Sequence, residues 1–416
     1  MSHKFGKLQN NDLTIGLYLV AEQYPKKRNR MLRKTDISTL ASAVLLLASL
    51  QGCTADADDV TSQTGHTEMI EFLPLVEETP AAFGAGTGTA GVTTTRNIRE
   101  FKVSAIYRGQ YNFVTLLDNV IVRRVGQSNK WEYSPKIDWP GPAVNFYMVS
   151  PINTNMHVIN YGDGRGALLD KYINTGKIDL VVAADYDEVA HPGPVRVNFR
   201  HALTRIEASI RPSLPEGYDL MVKMVYATGV PLEGSYTWPT ESTNIQNSGD
   251  IGDTASSGRW VPTGYATHSN YTFRLLGNID SDGVILKNDG EYGAMKGTGI
   301  QFLIPNELEE SRYAEAHWLG ANLMVVYRIV KAGTEESAWP IAGETPEEYL
   351  FNEDKTWAIQ PFPLREATPD NRWRSGINYH YRMTLNAPEA LRGKTRSLSG
   401  EFVMPRMRIE VEQGPY

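Results

Sequence analysis

The chain has 416 residues, of which 41% are hydrophobic and 10% aromatic. That is enough for two or three packed domains, and too apolar for a disordered chain. A net charge of −7 is at odds with nucleic-acid binding, which needs a clustered basic surface to displace counterions, and the single cysteine, Cys53, excludes an intrachain disulfide or a site of several thiolates.

At the N-terminal end, residues 1–30 read as a mis-called start, because Met31-Leu32-Arg33-Lys34 makes a better basic opening to the apolar run behind it. From Ile37 to Leu50 the chain is uncharged for about fourteen residues. Crossing a ~30 Å hydrocarbon core takes about twenty, so residues 31–52 are expected to be a signal peptide and not a transmembrane helix. Leu50-Gln51-Gly52-Cys53 resembles a bacterial lipobox, with Gln51 in place of the usual small residue. It makes Cys53 the expected lipidation site. A buried helix with an incidental free thiol is the other reading of these residues. The acidic stretch Asp56, Asp58 and Asp59 looks like a surface-export signal of lipoproteins, or a plain solvated tether.

Residues 53–99 are expected to hold a tether, a first strand and a flexible linker. The apolar island is Met69–Val76, and Gly84–Thr95 is rich in Gly and Thr. Gly86, Gly88 and Gly91 formally satisfy G-x-G-x-x-G, but no strong strand precedes them and no helix pattern comes after, so the dinucleotide reading fails.

Beyond Arg96, apolar residues recur with period two, the signature of half-buried strands. The runs are Phe101, Val103, Ala105 and Tyr107; Trp131 and Tyr133; Val144, Phe146 and Met148; and Val195, Val197 and Phe199. The phase then flips to Ile206, Ala208 and Ile210, which predicts a bulge inside one strand. Later runs are Ile300, Phe302 and Ile304; Leu323, Val325, Tyr327 and Ile329; Tyr379, Tyr381, Met383 and Leu385; and Met407, Ile409 and Val411. Short helices are expected only at Glu307–Trp318 and Thr345–Leu350. The fold class is all-β, in antiparallel sandwiches. His191-Pro192-Gly193-Pro194 reads as a domain boundary. It separates an N-terminal sandwich, 100–192, completed by a strand at 67–76, from a C-terminal one, 193–416.

No catalytic motif is found: there is no H-E-x-x-H, Walker A loop or G-x-S-x-G, and the histidines are scattered. His201, inside a strand, reads as structural. No pair of carboxylates is singled out for acid–base work. The one cation candidate is a calcium-loop-like run with Asn278, Asp280, Asp282 and Asp289, which an Asp/Gly turn also explains. No cofactor is expected.

Several segments, in order, resemble the fimbrillin family of Bacteroides and Porphyromonas, in particular its Mfa-like branch. They are the lipobox at Cys53, Ile70-Glu71-Phe72 with the later Arg96, Trp131–Ser134, Asp138-Trp139, Asn145–Pro151, Asp179–Ala183, Val195–Leu203, Leu303-Ile304-Pro305 and Asn378–Tyr381. The resemblance implies two transthyretin-like β-sandwich domains in tandem and a lipoprotein exported to the outer membrane. It also implies an arginine-specific cleavage that removes the first strand, and assembly with other fimbrial subunits by donor-strand exchange, for cell adhesion. Arg96 and Arg99 are the first basic residues after Cys53, hence the expected processing sites. The expected donor strand is Val403–Glu412, with Val403, Met407, Ile409 and Val411 as its apolar knobs. The same residues also fit plainer roles, a strand-flanking arginine and the last strand of its own sandwich. Two other functions stay open: a surface lipoprotein that does not polymerise and binds a host protein or glycan, with Trp238 and Trp260 stacking on sugars, and, third, a surface hydrolase.

Overall fold

The computed structural model describes residues 68–77, 92–154, 156–158, 165–243, 258–265, 271–273, 283–294, 300–315, 317–388, 391 and 407–416. Cys53, Val403, Asn278, Asp280, Asp282 and the Gly86–Gly91 motif lie outside them. Among the described residues the named helical elements are one turn at Leu364–Ala367 and 3-10 turns at Glu347–Tyr349 and Pro369–Asn371. No helix among the described residues is long and apolar enough to cross a membrane.

One sheet has seven strands, in the order β1-β9-β8-β5-β2-β3-β4. These are β1 (Phe72–Val76), β2 (Glu100–Arg108), β3 (Phe113–Arg124), β4 (Trp131–Glu132), β5 (Val144–Ser150), β8 (Val181–Glu188) and β9 (Val195–His201). A four-stranded sheet joins β6 (His157–Val158), β7 (Ala167–Ile173), β12 (Pro231–Thr237) and β13 (Arg259–Tyr265). Alternate residues of the seven-stranded sheet feed two cores. Phe101, Val103, Phe146, Val181, Val197 and Phe199 fill one, with Trp131, Tyr133 and Trp139. Tyr147, Val149, Val182 and Ala184 fill the other, against Leu169 and Tyr236 of the four-stranded sheet. This explains why β5 is buried at six successive positions instead of alternating.

The second half forms two further sheets. The five-stranded one holds β10 (Thr204–Ser213), β16 (Gly293–Ala294), β17 (Gln301–Leu303), β23 (Ile377–Asn386) and β24 (Arg408–Pro415). The six-stranded one holds β11 (Tyr218–Thr228), β14 (Tyr271–Phe273), β15 (Val284–Leu286), β20 (Asn322–Lys331), β21 (Ser337–Trp339) and β22 (Ala358–Pro363). Ile206, Ala208 and Ile210 face Leu323, Val325, Tyr327 and Ile329 across one core, with Tyr379, Tyr381 and Met383 beside them. A separate hairpin pairs β18 (Arg312–Ala314) with β19 (His317–Leu319).

Four expectations need correcting. The break at His191–Pro194 lies between β8 and β9, two strands of one sheet; the chain leaves that sheet only at Ala202-Leu203. The phase flip is therefore not a bulge. β9 ends at His201, and β10 starts in a different sheet at Thr204. Two pairings, β1 with β9 and β10 with β23, are parallel, so the seven- and five-stranded sheets are mixed, while among the described residues the other two pair antiparallel as expected. Finally, much of Glu307–Trp318 is the β18–β19 hairpin, because Tyr313 and Trp318 pair across it at 5.3 Å. At 345–350 the expected helix is the 3-10 turn Glu347–Tyr349.

One glycine is tied to this packing. Gly229 has φ +63°, and a Cβ there would lie 2.0 Å from the Gly320 carbonyl oxygen. Gly229→Ala is expected to lower stability by about 2 kcal/mol or more, read as a shift of the urea midpoint.

Candidate functional site

The leading strand sits at one edge of the seven-stranded sheet, parallel to β9 from Phe72 opposite Val195 to Val76 opposite Phe199. Pro74 has no N–H to give to a ladder, which suits an edge position. The residues just before the strand pair elsewhere. Ile70 N donates to Ile137 O (2.9 Å) and Trp139 N to Glu68 O (3.1 Å). Segment 68–76 therefore bonds to β9 on one side and to the loop after β4 on the other. It is the stave that brings the two ends of the sheet together.

The alternation of the sequence decides what the stave buries. Ile70, Phe72 and Val76 are buried, whereas Leu73 and Leu75 are half-buried. Phe72 stands among three rings: Phe101 (6.1 Å), Tyr133 (5.5 Å) and Phe146 (5.8 Å). Tyr133 Oη donates to Ile70 O at 2.8 Å, fixing the strand's depth. Three such knobs, at ~1.5–3 kcal/mol each, hold the strand with gross stabilisation on the order of 5–9 kcal/mol.

A buried polar cluster anchors the end of this segment. Arg200 Nε lies 3.3 Å from Glu77 Oε2, both side chains being buried. His201 Nδ1 lies 2.9 Å from Asp179 Oδ2, and its Nε2 3.3 Å from Glu77 O. Thr93 N, past the linker, donates to the same Asp179 oxygen at 2.8 Å. The Tyr416 ring lies tilted against the His201 ring at 4.5 Å, and its hydroxyl donates to Leu203 O at 2.9 Å. Burial acts to lower the His201 pKa. The Asp179 carboxylate and Glu77 outweigh it, so the imidazole's pKa lies above its ordinary value. Burial also raises the Tyr416 phenol well above the usual range. His201 is thus a structural residue, held by partners far away in sequence.

Arg96 occupies an exposed turn at 95–97, and Arg99 is exposed just before β2. Asn97 Nδ2 donates to Val92 O (2.7 Å), Ile98 N donates to Thr94 O (2.9 Å), and Arg124 Nη1 donates to Arg96 O (2.9 Å). Both arginine side chains therefore reach solvent beside the junction between leading segment and body.

The tail strand β24 is also at an edge, antiparallel to β23 from Thr384 opposite Arg408 to Ile377 opposite Pro415. Met407, Ile409 and Val411 are half-buried against the second-half core, and Arg382 pairs with Glu412 at 2.8 Å. The knobs that are described thus rest in their own sheet.

Other candidates fare differently. Trp238 is buried, with Nε1 donating to Ala183 O (3.0 Å), and Trp260 is half-buried, with Nε1 donating to Ala202 O (2.7 Å). The buried Trp238 therefore presents no face to a sugar, and Trp260 lies against the rings of Tyr172 and Tyr236 at 5.6 and 5.1 Å. Asp289 accepts from Glu291 N at 3.0 Å, as a turn residue does, and no group of ligands able to hold a metal occurs among the described residues. One carboxyl pair was not legible in sequence. Asp185 is pushed up to about 7, first by burial and then by the nearby Glu188 carboxylate. The two lie three positions apart around a bulge-containing strand end, where sequence spacing gives no signal.

The fimbrillin-like family model matches residues 87–296, half of the chain. The chain belongs to the fimbrillin-like family. Two solved structures resemble it across most of their length. A fimbrial protein from Bacteroides vulgatus is 14% identical, covering 83% of this chain and 99% of that one, with a TM-score of 0.49. A fimbrilin from Porphyromonas gingivalis is 9% identical, covering 84% and 97%, with a TM-score of 0.44. No curated protein sequence matches the chain.

Proposed function

We propose that this fimbrillin-like protein is a fimbrial subunit of the cell surface, structural or accessory, and that its work is assembly and adhesion, not catalysis. In this reading it is exported as a lipoprotein, held in the outer membrane through lipid on Cys53, and cut after Arg96 or Arg99. The vacated seat of β1 then accepts a strand from another subunit, and the candidate donor is Val403–Glu412. One observation carries the proposal: the leading strand is a proline-interrupted edge stave, seated among aromatic rings and joined to the body beside two exposed arginines. An emptied seat would expose unpaired backbone and apolar pockets, the condition for strand addition. β24 supports the donor role in that an edge strand can leave its sheet without breaking a central ladder.

Mass spectrometry of the mature protein tests this. A new N-terminus at Asn97 or Glu100, together with SDS-resistant ladders that vanish in an Arg96→Ala/Arg99→Ala variant, is the expected result. An intact lipid-bearing Cys53 with monomers only would overturn assembly, and would leave the tethered adhesin that does not polymerise.

A further inference from the structure

On the outer face of the six-stranded sheet lies a pocket of about 200 Å3. Its floor is Met224 and Tyr226 of β11 with Met324 of β20. One wall is Trp318 of the β18–β19 hairpin, whose Nε1 donates to Glu348 O at 3.0 Å and whose ring lies 5.9 Å from Tyr349. The lining also includes Glu347, Glu348 and Glu353.

Two features define what would fit. The first is charge. No Lys or Arg lines the pocket, and its one basic ring, His317, turns Nδ1 to Glu315 O at 2.8 Å. Glu347 pairs with Lys355, but among the described residues Glu348 and Glu353 form no salt bridge. The second is the aromatic wall. Ring faces carry negative potential and attract cations, best at tryptophan. The volume then selects the size of the occupant. Sites for whole small molecules run to ~300–1,000 Å3, so this cavity suits a single long side chain, the kind of anchor found at interface centres.

We infer that this pocket is an anchor site for an arginine side chain presented by a partner protein. The guanidinium stacks on Trp318 and faces the Glu348 and Glu353 carboxylates, while the aliphatic stem lies on Met224 and Met324. Arginine suits better than lysine because its planar fork both stacks and meets carboxylates in two-point fashion. No residue of β1 lines the site, so the inference stands whether or not the chain polymerises.

The test uses the full chain labelled with 13C-methyl methionine and an acetylated, amidated Gly-Gly-Arg-Gly-Gly peptide. The Met224 and Met324 methyl resonances are expected to shift saturably, with binding weakened by added salt. Replacing arginine by citrulline, of the same shape but neutral, should weaken binding roughly tenfold or more, as should Glu353→Gln. Glu353 is exposed, so that variant is expected to fold as the parent does. Trp318→Phe should keep the fold and weaken binding less. Citrulline binding as tightly as arginine, methyl shifts produced by a neutral monosaccharide instead, or Glu353→Gln leaving affinity unchanged would each overturn the inference.

Discussion

Phe72→Ala is expected to destabilise the seven-stranded half of the molecule by about 3–5 kcal/mol, the usual cost of emptying a buried aromatic site. Phe72 is buried and touches Phe101, Tyr133 and Phe146, and these rings belong to three different segments that cannot all collapse into the void. Urea unfolding followed by aromatic signals would show the loss as a shifted midpoint with an unchanged slope. The same variant should speed cleavage at Arg96, since a loosened stave exposes the adjoining turn more often. Leu75→Ala, at a half-buried position of the same strand, should cost much less. If Phe72→Ala moved stability by under about 1 kcal/mol, the strand would not be seated as described.

The second large effect is expected at Asp179. Its buried carboxylate holds both the His201 imidazole and the Thr93 amide, and breaking a buried pair by removing one partner costs about 3–5 kcal/mol. Asp179→Asn preserves shape and removes the charge, so the loss reports on the electrostatics. The accompanying pH dependence has a definite sign. The folded-state pKa of His201 is raised, so its protonation stabilises the fold fully below about 6.5, its unfolded value. That contribution fades as pH rises through the higher folded-state value. Wild type should therefore exceed His201→Gln in stability most at about pH 6, with the gap narrowing toward about pH 9. A gap that stays constant over that range would mean that His201 does not carry the charge assigned to it. Glu77, Arg200, Arg205 and Tyr416 surround the same ring, and none is altered in this comparison.

The strand periodicities were legible in the sequence wherever one face of a strand is dry and the other wet. β9, β24 and the apolar island at Phe72 fall where the alternation places them. It failed in two physical situations. Central strands such as β5 are dry on both faces, so alternation carries no information about which residues face which core. A chain that swaps sheets at Ala202-Leu203 produces the same phase flip as a bulge, and only the pairing partners distinguish the two. The polar cluster was hidden for another reason. Glu77 and His201 are 124 positions apart, and no local spacing announces that they meet. The pocket behind Trp318 draws on five separated segments and was equally invisible. Arg96 and Arg99 were readable because their signal is purely local: the first Lys or Arg residues after Cys53.

The crossing at Ala202-Leu203 has a mechanical consequence. Here two residues carry the backbone from one layered half to the other, and the chain passes between the halves again from β11 to β12; Ala202 and Leu203 are both buried, and their carbonyls are tied down from several directions. Trp260 Nε1 and Ser375 Oγ reach Ala202 O, and Gly376 N and Tyr416 Oη reach Leu203 O. Such a joint has no freedom to act as a hinge. If the proposed strand exchange operates, a subunit would bring no swivel of its own at this crossing, and suppleness there would have to come from the splices between neighbours.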